Sequence, residues 1–199
     1  MEKVATRGRP REFDAEVALA AALRVFWIKG YEAASLTDLT EAMGITRPSL
    51  YAAFGNKEEL FKQALDLYER EKLAYVGQAL AAPTVRQAVA NLLDGAIATI
   101  ADGDCRGCMG VIATVSCGTE DESIRRHLDR IGNDAHAALV GRMQQGIDAG
   151  EFPPGAVAET MTQYLKTVLQ GLSVQARSGL LPAQLRQVAE ATLAMWPSR

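Results

Sequence analysis

Apolar residues recur along this chain at three- and four-residue intervals almost from end to end, the spacing of helices with one buried face. Leu19, Ala22, Leu23 and Phe26 form the first stripe, opened by Asp14 as an N-cap with Glu16 in the first turn and closed by Gly30. Ser35 and Asp38 have the spacing of a capping pair for a short helix through Met43, which Gly44 ends. Thr46 can cap a second short helix with Pro48 in its first turn, where a missing N–H costs little, and Gly55-Asn56 ends it. One longer helix is then expected from Lys57 to Leu80. Beyond Pro83 the pattern predicts a helix from Val85 to Ala101, a loop at Asp102-Gly103-Asp104, a short apolar segment from Met109 to Val115, and a long helix from Asp121 to Ala149. Two amphipathic helices close the chain. Val157, Met161, Tyr164, Val168 and Leu172 share a face of the first; Leu185, Val188, Thr192 and Met195 share a face of the second, after Pro182. No segment reads as a strand, so the expected fold is all-α with about nine helices.

Asp38 to Phe54 is the most informative stretch. Two short helices joined by a turn with glycine follow the helix-turn-helix plan. Leu39, Met43, Ile45, Leu50 and Ala53 are apolar where the helices must face each other, and Gly44 stands where the turn requires a positive φ. The second helix is left to expose Thr46, Arg47, Ser49, Tyr51 and Ala52: small residues, hydroxyls and one arginine, all suited to a duplex surface. The same spacing also occurs in ordinary helical cores.

Composition narrows the class. The 199 residues are 48% hydrophobic and carry a formal net charge of −3. No apolar run of about 18 residues suggests a membrane span, and the N-terminus has no apolar signal region, so a cytoplasmic protein is expected. Against the acidic total, Lys3, Arg7, Arg9 and Arg11 face only Glu2 in the first eleven residues. Such an arm is either a solvated tail or an electrostatic grip on a polyanion. No Gly-rich phosphate loop, nucleophile elbow or HExxH motif is present, so no enzyme is expected.

The run GITRPSLYAAFGNKEELF, Gly44 to Phe61, resembles the hallmark of the TetR/AcrR family of repressors. Ala22, Phe26, Gly30-Tyr31, Ser35-Leu36 and Asp38-Leu39 also fall on that family's pattern. Thr40 departs from it, standing where the family usually has alanine. The resemblance implies a basic arm and helix-turn-helix over residues 1–56, and an effector-binding and dimerisation domain over 57–199. It places Thr46, Arg47, Pro48 and Ser49 nearest the base edges, Tyr51 on the DNA backbone, Thr37 and Lys57 at phosphates, and Arg7, Arg9 and Arg11 along phosphates or in a minor groove. It also implies a homodimer, paired through the last two helices, on a palindromic operator and released by a small effector; the apolar stripes of those helices are also able to complete the core of one chain.

The C-terminal part resembles a subgroup that includes ComR-type copper-responsive repressors, through Gly8–Asp14 (GRPREFD), Gly107-Cys108, Gly150–Gly155 (GEFPPG), Gln170–Gly179 (QGLSVQARSG) and Ala194–Pro197 (AMWP). Cys105 and Cys108 form a C-x-x-C with Met109 adjacent and Cys117 nearby, soft ligands suited to copper or zinc; Arg106 beside them suits thiol redox sensing. The same cysteines are also ordinary small core residues, and no metal or cofactor is required. A thiol redox enzyme is the competing class, but the strand-helix alternation expected around a catalytic C-x-x-C is missing. The alternative sensor is a helical pocket for an apolar or amphipathic molecule, with Leu92, Ile97, Cys108, Val111, Ile112, Val115, Met143, Tyr164 and Val168 as candidate walls. His127 and His136, nine residues apart on one helix, read as surface or satisfied histidines.

Overall fold

The computed structural model describes residues 13–100, 106–116 and 121–198. Among these residues the chain is all helical. The elements are α1 (Ala15–Ala33), α2 (Leu36–Met43), α3 (Arg47–Phe54), α4 (Lys57–Lys72), α5 (Tyr75–Leu80), α6 (Val85–Ile100), α7 (Met109–Ser116), α8 (Glu122–Asp148), α9 (Ala158–Arg177) and α10 (Pro182–Met195). No helix among the described residues is long and apolar enough to cross a membrane.

The helix starts form as their side chains dictate. The Asp14 carboxylate accepts from the N–H groups of Glu16 and Val17, and Ser35 and Asp38 close a full capping box. Thr46 Oγ1 accepts from the Ser49 N–H, and Gly44 takes φ 65° at the turn between α2 and α3. Asn56, expected only to break a helix, caps α4 in a second box with Glu59. Gly30 interrupts α1, with φ 78° and ψ 172°, and a last turn follows to Ala33.

The structure corrects the expected helix from Lys57 to Leu80. It breaks at Leu73 into α4 and α5, which raises the described helices from about nine to ten. The break falls where the chain leaves one core for another. Leu60, Phe61, Ala64, Leu65 and Tyr68 of α4 belong to the first; Val76, Ala79 and Leu80 of α5 belong to the second, packed on α6. The break lets the apolar residues of α5 pack on α6.

The first core joins α1, α2, α3 and α4 and takes in Met109 and Ala113 of α7 with Ile124 and Leu128 of α8. Aromatic rings knit it: Phe26 meets Phe61 edge-on at 4.9 Å, and Trp27 meets Tyr68 edge-on at 4.9 Å. The second core gathers α5, α6, the later part of α8, α9 and α10 around Leu93, Met143, Leu165 and Leu185.

A hydrogen-bonded seam ties the two together. Trp27 Nε1–H donates to the Gly107 carbonyl at 2.7 Å, and the Cys108 N–H donates to Ser173 Oγ at 2.7 Å. Arg177, at the end of α9, donates to the carbonyls of Trp27 and Ile28 at 2.9 and 2.6 Å. Those carbonyls lie just before the interruption at Gly30, so the guanidinium satisfies acceptors that lose helical partners. Gly107 itself has φ 84°, and a Cβ there would come within 3.0 Å of the Ser173 carbonyl oxygen. Glycine is what lets the chain approach α9 so closely.

Candidate functional site

Two sites follow from this frame: an outward helix face at one end and a cavity near the junction of the cores. At the first, Leu39, Leu50 and Phe54 are fully or nearly fully buried, and Ile45 and Ala53 are half-buried beside them. They fix α3 against α2 and leave its other side to solvent. Thr46, Arg47, Pro48, Tyr51 and Ala52 are exposed and Ser49 is half-buried; Tyr51 presents 49% of its surface although it is a large aromatic residue. An exposed tyrosine on a helix whose apolar residues are otherwise turned inward has no packing role to explain it.

Polar contacts pre-order this face. Arg47 Nη2 donates to Thr37 Oγ1 at 2.9 Å, bringing together residues from α2 and α3. Thr46 Oγ1 and Ser49 Oγ lie 3.0 Å apart. Lys57, at the start of α4, donates to the Glu32 carbonyl at 3.3 Å and sits 4.5 Å over the Tyr31 ring. Thr40 donates its hydroxyl to the Leu36 and Thr37 carbonyls within α2, which satisfies the polar atom that an alanine there would lack. Beneath the turn, the Lys29 ammonium is 2.6 Å from Asp38, and that contact, with the Ser35 hydrogen bonds, holds the Asp38 carboxyl down to about 2. Arg7, Arg9 and Arg11 lie outside the described residues.

The second site is a cavity of about 210 Å³ between α4, α5, α6, α7, α8 and α9. Of the expected walls, Leu92, Cys108 and Val111 line it. Ile97 and Met143 instead lie inside the solid second core, and Val168 packs at its edge. Ile112 turns toward α1, where it lines a crevice with Phe26 and Trp27. Tyr164 faces outward and stacks on Trp196 at 5.8 Å. Val115 is in α7, but its side chain is outside the described residues, as are Cys105 and Cys117.

The cavity's polar groups were not foreseen from the sequence. They are Tyr68, Tyr75, Thr99, Lys166 and Gln170, set among Ala96, Ile100, Leu139 and Leu169. Burial is the main cause, and the neighbouring Cys108 the second, of a Tyr68 phenol pushed above its ordinary range and a Tyr75 phenol pushed up to about 12. Both therefore stay neutral hydrogen-bond donors. The Tyr68 hydroxyl lies near Cys108 and the Met109 backbone yet makes no hydrogen bond of good geometry. The break after Lys72 that aims Tyr68 and Tyr75 into one space leaves no periodic signature, so the sequence hid them.

The histidines are each held by a carboxylate. His127 Nε2 is 2.8 Å from Asp66, and His136 Nε2 is 3.0 Å from Glu159. Among the described residues no three His, Cys, Asp or Glu side chains converge as a metal site.

Residues 18–64 match the family described as bacterial regulatory proteins, tetR family. The HTH-type transcriptional repressor ComR of Escherichia coli (strain K12) is 34% identical, with 96% of this chain and 93% of that protein aligned. The HTH-type transcriptional repressor BdcR of the same strain is 32% identical over 86% of this chain and 83% of its own length. Among solved structures, a cysteine mutant of the TetR family regulator CifR, complexed with 26-bp double-strand operator DNA, superposes with a TM-score of 0.88 at 41% identity, covering 95% of this chain and 100% of that one. The exposed α3 face and these relatives agree: the chain belongs to the TetR family and is a helix-turn-helix transcriptional repressor, not an enzyme.

Proposed function

We propose that two copies of this chain grip a palindromic operator through their α3 faces and let go when a small organic molecule enters the 210 Å³ cavity. The observation that carries this reading is the outward face of α3, with Thr46, Arg47, Pro48 and Tyr51 exposed above a fully packed underside. Arg47, Thr46, Pro48 and Ser49 approach base edges; Tyr51, Thr37 and Lys57 take phosphates; the arm with Arg7, Arg9 and Arg11 extends the electrostatic grip. One such helix covers too little DNA for specific binding, and a pair set about 34–36 Å apart reads two half-sites in successive major grooves. The operator complex of CifR supports the arrangement.

The partner surface is assigned to α9 and α10. Val174 and Val188 are each 45% exposed and Met195 is 69% exposed, with Val157, Tyr164 and Leu181 also uncovered along these helices or at their starts. A four-helix bundle between two subunits would cover that face. Residues 1–56 then act as the DNA-binding part and 57–199 as the sensing and pairing part, with α4 and the Trp27–Gly107–Arg177 seam linking them. A repressor acting on chromosomal DNA works in the cytoplasm.

A ligand acts here only through its differing affinity for the DNA-competent and DNA-incompetent spacings. Selection of bound duplexes from a random library, followed by footprinting, tests the reading. A palindromic site with half-sites one turn apart is the expected result, and a single asymmetric site would overturn it. Repeating the footprint with copper, with an oxidant and with a panel of small organic molecules assigns the effector class; the cavity favours the organic panel, while Cys108 with Cys105 and Cys117 is the route for the other two.

A further inference from the structure

The cavity's lining contains a charge that its shape alone does not explain. Lys166 lies on α9 and reaches the cavity wall among Leu92, Ala96, Leu139 and Leu169. Among the described residues no carboxylate pairs with it directly. Its ammonium lies 3.3 Å from His136 Nδ1, and His136 Nε2 faces Glu159. In the tautomer in which the Glu159 carboxylate accepts from Nε2–H, Nδ1 is the acceptor for one Lys166 N–H. An ammonium has three N–H donors, so two remain for the cavity. Gln170 follows one helical turn later on the same face and adds an amide. A second, separate feature points to an occupant: Tyr68, 2% exposed, lines the cavity, and its hydroxyl, beside Cys108 and the Met109 backbone, makes no hydrogen bond of good geometry among the described residues. A buried donor left so poorly paired is costly, and an oxygen brought by a ligand is one acceptor that relieves it.

From these features we infer that the cavity is built for a small aromatic or branched aliphatic monocarboxylate. Its carboxylate meets Lys166 and Gln170, its body lies against Leu92, Ala96 and Leu139, and a second oxygen accepts from Tyr68. Size agrees: an enclosed apolar cavity of about 150 Å³ accepts benzene, and this cavity of 210 Å³, open on the side of Gly132, Ala135 and Gln170, takes a ring with short substituents. Charge agrees as well, because among the described residues Lys166 is the one ionic group in the lining and is compensated by one anion and not by a polyanion. The inference rests on the effector reading above and names its ligand class.

Titration calorimetry on the full-length dimer tests it with phenylacetate and 4-hydroxyphenylacetate, each set against its neutral primary amide. The acids are expected to bind about tenfold or more tighter than their amides. Lys166→Met should erase that preference while changing amide affinity by less than about threefold. Tyr68→Phe, which keeps the ring that packs on Trp27, should erase the added affinity from the 4-hydroxyl. Equal binding of acid and amide, a preference that survives Lys166→Met, or no binding by any of the four compounds overturns the proposal. Operator release, followed by anisotropy in the same samples, separates the two readings. Selective acid binding that leaves the operator bound sinks the effector reading alone. Release by neutral compounds without acid preference sinks the carboxylate alone.

Discussion

Trp27 and Gly107 are joined by a buried hydrogen bond of 2.7 Å, so a helix of the helix-turn-helix end is fastened to the turn that carries Cys108 into the cavity wall. Two further donors on Arg177 hold the same stretch of α1 from the far end of α9. The cavity wall is thereby tied to α1, which packs on α2 of the helix-turn-helix.

Trp27→Phe keeps most of the ring packing on Tyr68 but strands the Gly107 carbonyl. A buried acceptor left without its donor costs about 1–3 kcal/mol. Urea unfolding should show a lower midpoint at an unchanged slope. An unchanged midpoint would mean that the seam contributes nothing to stability.

Asp38 makes the helix-turn-helix end sensitive to acid. Its carboxyl is held at about 2, below the ordinary 3.8, chiefly by Lys29 and then by Ser35. A depressed folded-state value stabilises the fold fully above the unfolded value, and that contribution disappears as pH falls through about 2. The acid-unfolding curve of Asp38→Asn should be flatter than wild type between about pH 4 and 2. Circular dichroism against pH checks this, and parallel curves would remove Asp38 from the account.

Arg47→Ala should weaken operator binding by about 1–3 kcal/mol and relax preference at one base position, if the guanidinium leaves Thr37 for a base edge. Tyr51→Phe, which removes only the exposed hydroxyl, should weaken all duplexes alike, as expected of a phosphate contact. Both are read by mobility shift on the selected operator and on scrambled DNA. Wild-type affinity in both variants would move the DNA contact off α3.

Val174→Glu combined with Val188→Glu places four charges in the proposed bundle of each dimer. Sedimentation should show folded monomers, and operator affinity should fall by about tenfold or more, since each half-site then binds alone. A dimer that persists would shift the interface away from α9 and α10.

Local chemistry was legible in the sequence because it acts over a few residues. Asp14, Ser35, Asp38 and Thr46 set helix starts through side chains two or three residues from their targets, and the apolar spacing of Leu39, Leu50 and Phe54 decided which face of α3 stays outside. What the sequence could not determine was where separate helices meet. The break at Leu73, the close approach of Gly107 to Ser173, and the gathering of Tyr68, Cys108 and Lys166 around one cavity depend on contacts between different helices, as in the hydrogen bond from Cys108 to Ser173, 65 positions away. Ile97, Met143 and Tyr164 have the same helical periodicity as true cavity walls, yet two fill the core and one faces outward. Periodicity assigns a residue to a face of its helix; only the packing of neighbouring helices decides whether that face meets a side chain, solvent or an empty space.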